Sequence, residues 1–265
     1  MTDELPVRRF FARDGLELAY RELGRGRPLI LLHGFAATSS VWLRSGVAAH
    51  IAGQGHRVIL PDLRGHGDSA RPHSAASYPP DVLPDDGFAL IEALRLDDYD
   101  LGGYSLGGRI VLRMLARGAR AAHAIIGGQA LDATAAATDR TGQYRAALAA
   151  LARGDLPDPA SPGGWMAQGL RRSGGDPEAL ALVLDTFVAT PAVELARIQT
   201  PTLVVVGRED ASHAGADALA AALPSARFSR VPGNHFNAPS SPEFAAEIAR
   251  FIAGDPQAPT SSPGA

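Results

Sequence analysis

The 265-residue sequence contains no cysteine, so disulfide bonds and thiolate nucleophiles are both excluded. It also lacks any apolar run near the roughly 18 residues that a membrane span needs, and residues 1–10 carry no apolar stretch before a cleavage site. Charge is nearly balanced, with a net charge of −3, which predicts no attraction to nucleic acid or to an anionic membrane. We therefore expect a cytoplasmic globular protein that acts on small molecules.

Strand and helix patterns alternate along most of the chain. Two short alternating segments around residues 13–15 predict an antiparallel hairpin. Compact apolar runs then predict buried parallel strands at residues 28–32, 57–60, 99–101, 122–126, 202–206 and 227–231. Helical patterns lie between them, among them residues 40–52, 82–96 and 106–117. This alternation predicts an α/β fold with a doubly wound, mostly parallel sheet.

One stretch interrupts the alternation. Residues 131–191 contain helical patterns with glycine and proline interruptions and no strand-like run, which predicts a small helical cap inserted after the sixth strand. Residues 1–130 and 192–253 would then form the core. Ser241 and Pro242 predict the start of a final helix, and residues 254–265 have the composition of a disordered tail.

The strongest chemical signal is the segment Gly-Tyr-Ser-Leu-Gly at residues 103–107, between a strand pattern and a helix pattern. This context is typical of a nucleophile elbow, in which a sharp turn presents the serine at the start of a helix. Small residues two positions to either side leave room for the crowded backbone. Ser105 is therefore the predicted nucleophile, and the Leu106 N–H is a predicted oxyanion donor.

A serine nucleophile needs a base and an acid that orients the base. His235 follows the last strand pattern in a turn, and Asp210 follows the preceding one, which gives the chain order Ser, Asp, His. Glu209 and Asp132 remain candidates for the acid as well, and His213 is a weaker candidate for the base.

The segment after the third strand pattern, Leu-His-Gly-Phe at residues 32–35, is placed where an oxyanion-hole loop belongs. The Phe35 N–H is the second predicted donor, because Gly34 lets the backbone approach a ligand closely. His33 is expected to fix the loop by hydrogen bonding.

A group of charged residues at positions 62–68 raises the question of a metal site. Asp62, Arg64, His66 and Asp68 follow one strand pattern closely. Metal sites usually supply more oxygen ligands or a more regular set of three ligands than this segment does. We therefore predict a loop held by its own charges, and no metal or cofactor.

Taken in order, five motifs resemble the α/β-hydrolase superfamily: residues 32–35, 62–69 (Asp-Leu-Arg-Gly-His-Gly-Asp-Ser), 103–108, 207–210 (Gly-Arg-Glu-Asp) and 233–236 (Gly-Asn-His-Phe). The resemblance implies that the cap forms a lid over the serine and supplies most of the acyl pocket. Candidate substrate-binding residues are Trp165, Met166, Leu170, Phe187 and Tyr104. Ser105 stands where epoxide hydrolases and dehalogenases of this family carry aspartate, which argues against those activities.

The function predicted from these residues is a serine hydrolase that cleaves a small carboxylic ester, thioester or lactone. Two further functions remain open. The aromatic Tyr104 before the serine resembles the cofactor-free perhydrolases, which are haloperoxidase-like enzymes, and a ligand-binding receptor could use the same scaffold. The expected partner is a small acyl substrate, and the oligomeric state is not predicted.

Overall fold

A single sheet organises the computed structural model, which describes residues 5–131, 135–211 and 215–254. Within those ranges the sheet has eight strands: β1 (Arg8–Phe11), β2 (Glu17–Gly24), β3 (Arg27–Leu32), β4 (His56–Pro61), β5 (Asp100–Tyr104), β6 (Ala124–Gly127), β7 (Thr202–Gly207) and β8 (Ala226–Val231). The order across the sheet is β1-β2-β4-β3-β5-β6-β7-β8. The predicted hairpin is confirmed, because β1 pairs antiparallel with β2, and β3 to β8 run parallel.

Ten helices accompany the sheet in the described ranges: α1 (Ser40–Arg44), α2 (Val47–Gly53), α3 (Val82–Leu94), α4 (Leu106–Ala116), α5 (Ala135–Ala152), α6 (Pro162–Ser173), α7 (Pro177–Val183), α8 (Ala192–Leu195), α9 (Ala216–Ala222) and α10 (Pro242–Ile252). Helices α1, α2 and α10 bury one face of the sheet, and α3, α4 and α9 bury the other. The predicted doubly wound α/β fold is thereby confirmed. None of these helices is both long enough and apolar enough to cross a membrane.

Strand β3 shows why the central strands lack polar alternation. Leu29 and Leu31 pack into the core on the side of α2 and α10, and Ile30 and Leu32 pack into the core on the other side. Successive side chains of a strand point to opposite faces, so a strand covered on both faces must be apolar throughout.

The connections from β3 and β5 position the functional residues. After β3 the chain crosses to β4 on one side, and β5 returns on the other side of β3. The carboxyl ends of two adjacent strands with diverging connections leave a crevice, which is the usual ligand position in open α/β sheets. Phe35 follows β3 and Ser105 follows β5 at this edge.

The single helix predicted over residues 40–52 is wrong. The chain forms two helices there, α1 and α2, separated at Ser45 and Gly46. Gly46 has φ +77°, a left-handed conformation that stops an α-helix and that glycine adopts readily. The second helix can then turn to pack against α10.

The last helix begins as predicted. The Ser241 side chain accepts a hydrogen bond from the Phe244 N–H at 3.1 Å, and Pro242 is the first helical residue. Phe244, Ile248 and Phe251 are buried on one face, so α10 is held on the sheet by its apolar stripe.

Helices α5 to α8 lie between β6 and β7; α5 to α7 fall within residues 131–191, where the sequence predicts the cap, and α8 follows that segment. Helix α5 packs against α6 and α7, with Leu148 and Leu180 fully buried. The division into core and cap remains a prediction, and the tail predicted at residues 254–265 lies, apart from Gly254, outside the described residues.

Candidate active site

Ser105 occupies a sharp turn between β5 and α4. Its φ of +54° and ψ of −116° are strained for a residue with a side chain. A Cβ on Gly103 would collide with the backbone of Gly107, and a Cβ on Gly107 would collide with the backbone of Leu32. Gly103 is therefore required by the turn itself, and Gly107 by the close approach of α4 to β3.

Ser105, His235 and Asp210 form a continuous hydrogen-bonded chain. The Ser105 Oγ lies 3.0 Å from His235 Nε2, and His235 Nδ1 lies 2.8 Å from Asp210 Oδ2. The carboxylate can only accept, so Nδ1–H donates to Asp210 and leaves Nε2 to accept the serine proton. The Asp210 side chain is 1% exposed and the His235 side chain 15%, so the carboxylate is hidden while the imidazole still reaches solvent.

The loops after β7 and β8 bring the acid and the base together. The Asp210 N–H donates to Gly207 O at 3.2 Å in a tight turn, and the Glu209 N–H donates to Gly233 O in the neighbouring loop at 3.1 Å. Glu209 is exposed, whereas Asp210 is buried against His235, so Asp210 is the carboxylate of the two that meets the histidine. Asp132, also considered for the acid, and His213, considered for the base, lie outside the described residues.

The predicted oxyanion loop lies against the nucleophile. A Cβ added to Gly34 would sit 3.4 Å from Ser105 Cβ and 3.9 Å from its Oγ. Leu106 is the first residue of α4, where backbone N–H groups point out of the helix and favour negative charge. The Phe35 ring stacks on Tyr144 of α5, with centroids 5.7 Å apart and planes 13° apart. The arrangement is compatible with Phe35 and Leu106 as donors, and their roles remain predictions.

Two buried histidines support this loop. His33 Nδ1 donates to Gly34 O at 2.8 Å, and His33 Nε2 accepts from the Leu63 N–H at 3.0 Å. His66 Nδ1 donates to Arg64 O at 3.0 Å, and its Nε2 accepts from the Ala36 N–H at 3.2 Å. Both rings must be neutral in order to accept these bonds. Burial lowers the pKa of His66 to about 3, and burial also lowers the pKa of His33.

The charged segment at residues 62–68 is engaged in internal contacts. The Asp62 carboxylate accepts the Ser39 N–H at 2.7 Å and the Asp68 N–H at 3.0 Å. Arg64 is 1% exposed and forms a bidentate pair with Asp86, with bonds of 2.9 and 2.7 Å. These bonds fix the loop that carries His66. No cluster of three or more His, Cys, Asp or Glu able to hold a metal occurs within the described ranges.

The candidate substrate-binding residues of the cap are placed differently from one another. Trp165 is 55% exposed and contacts Phe236, whereas Met166 and Leu170 are buried in the apolar core. Phe187 is partly buried, with Arg109 over its ring at 5.3 Å. Only Trp165 of these four presents a large apolar surface to solvent, and the substrate-binding roles remain predictions.

Tyr104 lies behind the histidine. It is 4% exposed, and its ring is 5.3 Å from the His235 ring and 5.7 Å from Phe244. Burial raises the pKa of Tyr104 above its ordinary value, as does the charge of Asp210. In this arrangement the ring packs against His235, which is a supporting position; substrate contact by Tyr104 stays a prediction.

Three contacts at the site involve residues that the sequence analysis does not select. Gln129 Nε2 donates to Ser105 O at 2.7 Å, Tyr144 stacks on Phe35, and Phe236 lies beside His235 with ring centroids 5.6 Å apart. Position next to the predicted base is a signal that could have selected Phe236. Gln129 and Tyr144 have no such signal, because they reach the site only through the tertiary fold.

Comparison with known proteins gives a consistent family. The family model for the alpha/beta hydrolase fold matches residues 27–162, just over half of the chain. Among curated proteins, the AB hydrolase superfamily protein YisY of Bacillus subtilis is 37% identical over 100 residues, 38% of this chain and 36% of that protein. An epoxide hydrolase of Caballeronia sordidicola is 38% identical over 96 residues (36% and 29%), and the non-heme chloroperoxidase CPO-A1 of Kitasatospora aureofaciens is 33% identical over 105 residues (40% and 37%). The chain thus spans about a third of the length of these relatives.

Solved structures match over nearly the full length. A thermophilic esterase from Thermogutta terrifontis is 25% identical with a TM-score of 0.69, over 94% of this chain and 97% of that one. A bromoperoxidase from Bacillus anthracis is 24% identical with a TM-score of 0.74, over 94% of this chain and 100% of that one, a likeness that shows the fold.

Proposed function

Since the chain belongs to the α/β-hydrolase family, we propose that it is a serine hydrolase that cleaves a small carboxylic ester, thioester or lactone through an acyl-enzyme on Ser105. The observation that carries the proposal is the hydrogen-bonded chain from Ser105 Oγ through His235 to Asp210, at 3.0 and 2.8 Å. A serine is a weak nucleophile at neutral pH, and this arrangement is what activates it.

In the acylation step, Ser105 Oγ attacks the substrate carbonyl carbon and passes its proton to His235 Nε2. The carbonyl oxygen becomes an oxyanion, which accepts hydrogen bonds from the Phe35 and Leu106 N–H groups. The tetrahedral intermediate collapses, the bond from carbon to the leaving group breaks, and His235 gives its proton to the departing oxygen or sulfur atom.

In the deacylation step, His235 accepts a proton from water, and the resulting hydroxide attacks the acyl carbon. The bond to Ser105 Oγ breaks, and His235 returns the proton to the serine. The products are a carboxylic acid and the free enzyme. Asp210 stabilises the imidazolium in both steps and keeps the proton on Nδ1.

A p-nitrophenyl ester series from acetate to decanoate tests the proposal. We expect turnover to peak at one acyl length, because the acyl pocket has a fixed size. Turnover should be lost in Ser105→Ala, because the variant has no nucleophile. Ser240→Ala, which removes an exposed serine near the site loops, is the matched control and should retain turnover. Equal inertness of the wild type and Ser105→Ala across esters, thioesters and lactones would favour a ligand-binding receptor instead.

A perhydrolase is the second candidate, favoured by two curated relatives whose names are non-heme chloroperoxidase and non-heme haloperoxidase, at 33% and 36% identity. A short carboxylic acid would acylate Ser105 with release of water, and hydrogen peroxide would then take the acyl group from Ser105 as a peracid. The peracid would oxidise bromide to hypobromous acid and return to the carboxylate. Bromination that requires peroxide, a short carboxylic acid and Ser105 would support this activity. Bromination at the same rate in Ser105→Ala would contradict it.

A further inference from the structure

Two exposed aromatic side chains pack together beside His235. Trp165 of α6 is 55% exposed and Phe236 is 56% exposed, yet their ring centroids are 5.8 Å apart with planes at 61°. The Phe236 ring in turn stands edge-on to His235, with centroids 5.6 Å apart and planes at 85°. We call Trp165 and Phe236 the aromatic rim. The rim leaves a large apolar surface open to solvent directly beside the proposed base.

We propose that the aromatic rim binds the leaving alcohol of the substrate, and that the enzyme prefers esters whose alcohol carries an uncharged aromatic ring. The inference rests on the proposed function, because it assigns one part of the substrate to one side of the same site.

The route of the proton assigns this side to the alcohol. His235 Nε2 must give its proton to the leaving oxygen, so that oxygen has to come within hydrogen-bond distance of the imidazole. The oxyanion lies elsewhere, at the Phe35 and Leu106 N–H groups. The carbon chain attached to the leaving oxygen therefore extends past His235, where Phe236 is the neighbouring exposed ring.

A second aromatic ring beside His235 is buried. Tyr104 also contacts the imidazole, but it is 4% exposed and its ring is packed against Phe244 of α10. Buried Tyr104 therefore offers a substrate group no accessible surface beside His235, whereas the aromatic rim does.

The geometry of the rim favours a ring over an alkyl chain. Aromatic rings attract one another in edge-to-face and offset arrangements at centroid distances of about 4.5 to 7 Å. The rim holds two rings already at such a distance and angle, so a third ring can add to the cluster without disturbing it. Pairs of this kind are worth about a two- to thirteenfold change in an equilibrium or rate ratio beyond burial alone.

The test compares three acetate esters, those of benzyl alcohol, cyclohexylmethanol and ethanol, by titration of the released acid. The benzyl and cyclohexylmethyl groups are close in size, and both leave as primary alcohols, so their kcat/KM ratio reports mainly the aromatic contact. We expect the wild type to prefer the benzyl ester by about twofold or more. The ratio should fall to near one in Trp165→Leu and in Phe236→Leu, which keep an apolar side chain, and it should be retained in Phe236→Tyr.

Phe11→Leu is the matched control. Phe11 is 66% exposed on β1, on a strand at the edge of the sheet, and the variant should keep the wild-type ratio. If Trp165→Leu and Phe236→Leu lower kcat/KM for all three esters by the same factor, the aromatic rim serves only as a packing contact between the cap and the core. That result would overturn the inference.

Labelling of Ser105 by a small fluorophosphonate separates this inference from the proposed function. Labelled enzyme that hydrolyses none of the three esters, or hydrolyses them without preference, overturns the aromatic-alcohol inference alone. No labelling and no turnover overturn the proposed function together with it.

Discussion

Replacing His66 by glutamine should flatten the acid side of the stability profile. Glutamine can keep both hydrogen bonds of the histidine, because its carbonyl oxygen can accept from the Ala36 N–H and its amide can donate to Arg64 O. What the variant loses is the ability to take up a proton on unfolding.

The size of the effect follows from the lowered pKa. Burial holds the pKa of His66 at about 3 in the folded protein, against an ordinary value of 6.5. Below the ordinary value the unfolded chain binds more protons than the folded chain, so stability decreases as the pH falls from 6.5 toward 3. Integrated from about pH 7 to about pH 5, this one residue removes about 2 kcal/mol from the free energy of unfolding.

Urea unfolding at about pH 7 and about pH 5 measures the difference. The wild type should lose about 2 kcal/mol more than His66→Gln over this interval, whatever the absolute stability of the variant. His50→Gln, which replaces an exposed histidine of α2, is the control and should follow the wild type. Equal losses in the wild type and in His66→Gln would show that His66 is not held neutral in the folded protein.

Three further substitutions have outcomes set by the same structure. Asp210→Asn should lower ester turnover by about ten-thousand-fold, because asparagine fixes the wrong histidine tautomer. Glu209→Gln should leave turnover near the wild-type value. Retained activity in Asp210→Asn would exclude Asp210 as the acid. Ser105→Gly should abolish turnover and raise the free energy of unfolding by about 1 kcal/mol, because glycine relieves the strain at φ +54°. Urea unfolding measures this against Ser105→Ala, which keeps the Cβ; equal free energies of unfolding in the two variants would contradict the strain. Ser241→Ala should lower the free energy of unfolding by about 1 kcal/mol without changing kcat/KM, since it removes the N-cap of α10; a stability equal to that of the wild type would contradict the capping role.

The sheet could be predicted from the sequence because each buried strand is visible as a short apolar run in its own segment. Strands buried on both faces must be apolar throughout, and β3, β4 and β7 appear as such runs. The break between α1 and α2 was not predicted, because Gly46 inside an otherwise helical pattern is compatible with a continuous helix until packing of α2 against α10 selects the turn.

The hydrogen-bonded chain at the site could be predicted because the order of the motifs fixes which strand ends carry Ser105, Asp210 and His235. The choice between Asp210 and Glu209 depends on one turn, in which the Asp210 N–H bonds to Gly207 O and its side chain meets His235.

The aromatic contacts across the site could not be predicted in the same way. Trp165 meets Phe236, and Tyr144 meets Phe35, across long separations in sequence. Such pairs depend on how the helices between β6 and β7 pack against the sheet. Apolar periodicity predicts that a residue is buried, but it does not indicate which residue it contacts.

Mass measurement of the enzyme, acid-quenched during turnover of p-nitrophenyl acetate and examined both intact and after digestion, is a direct test of the acyl-enzyme. We expect a species heavier by one acetyl group, located on the peptide that contains Ser105 and absent from Ser105→Ala. Turnover with no acetylated species in the wild type, or with the acetyl group on another residue that survives in Ser105→Ala, would contradict the assignment of Ser105 as the nucleophile.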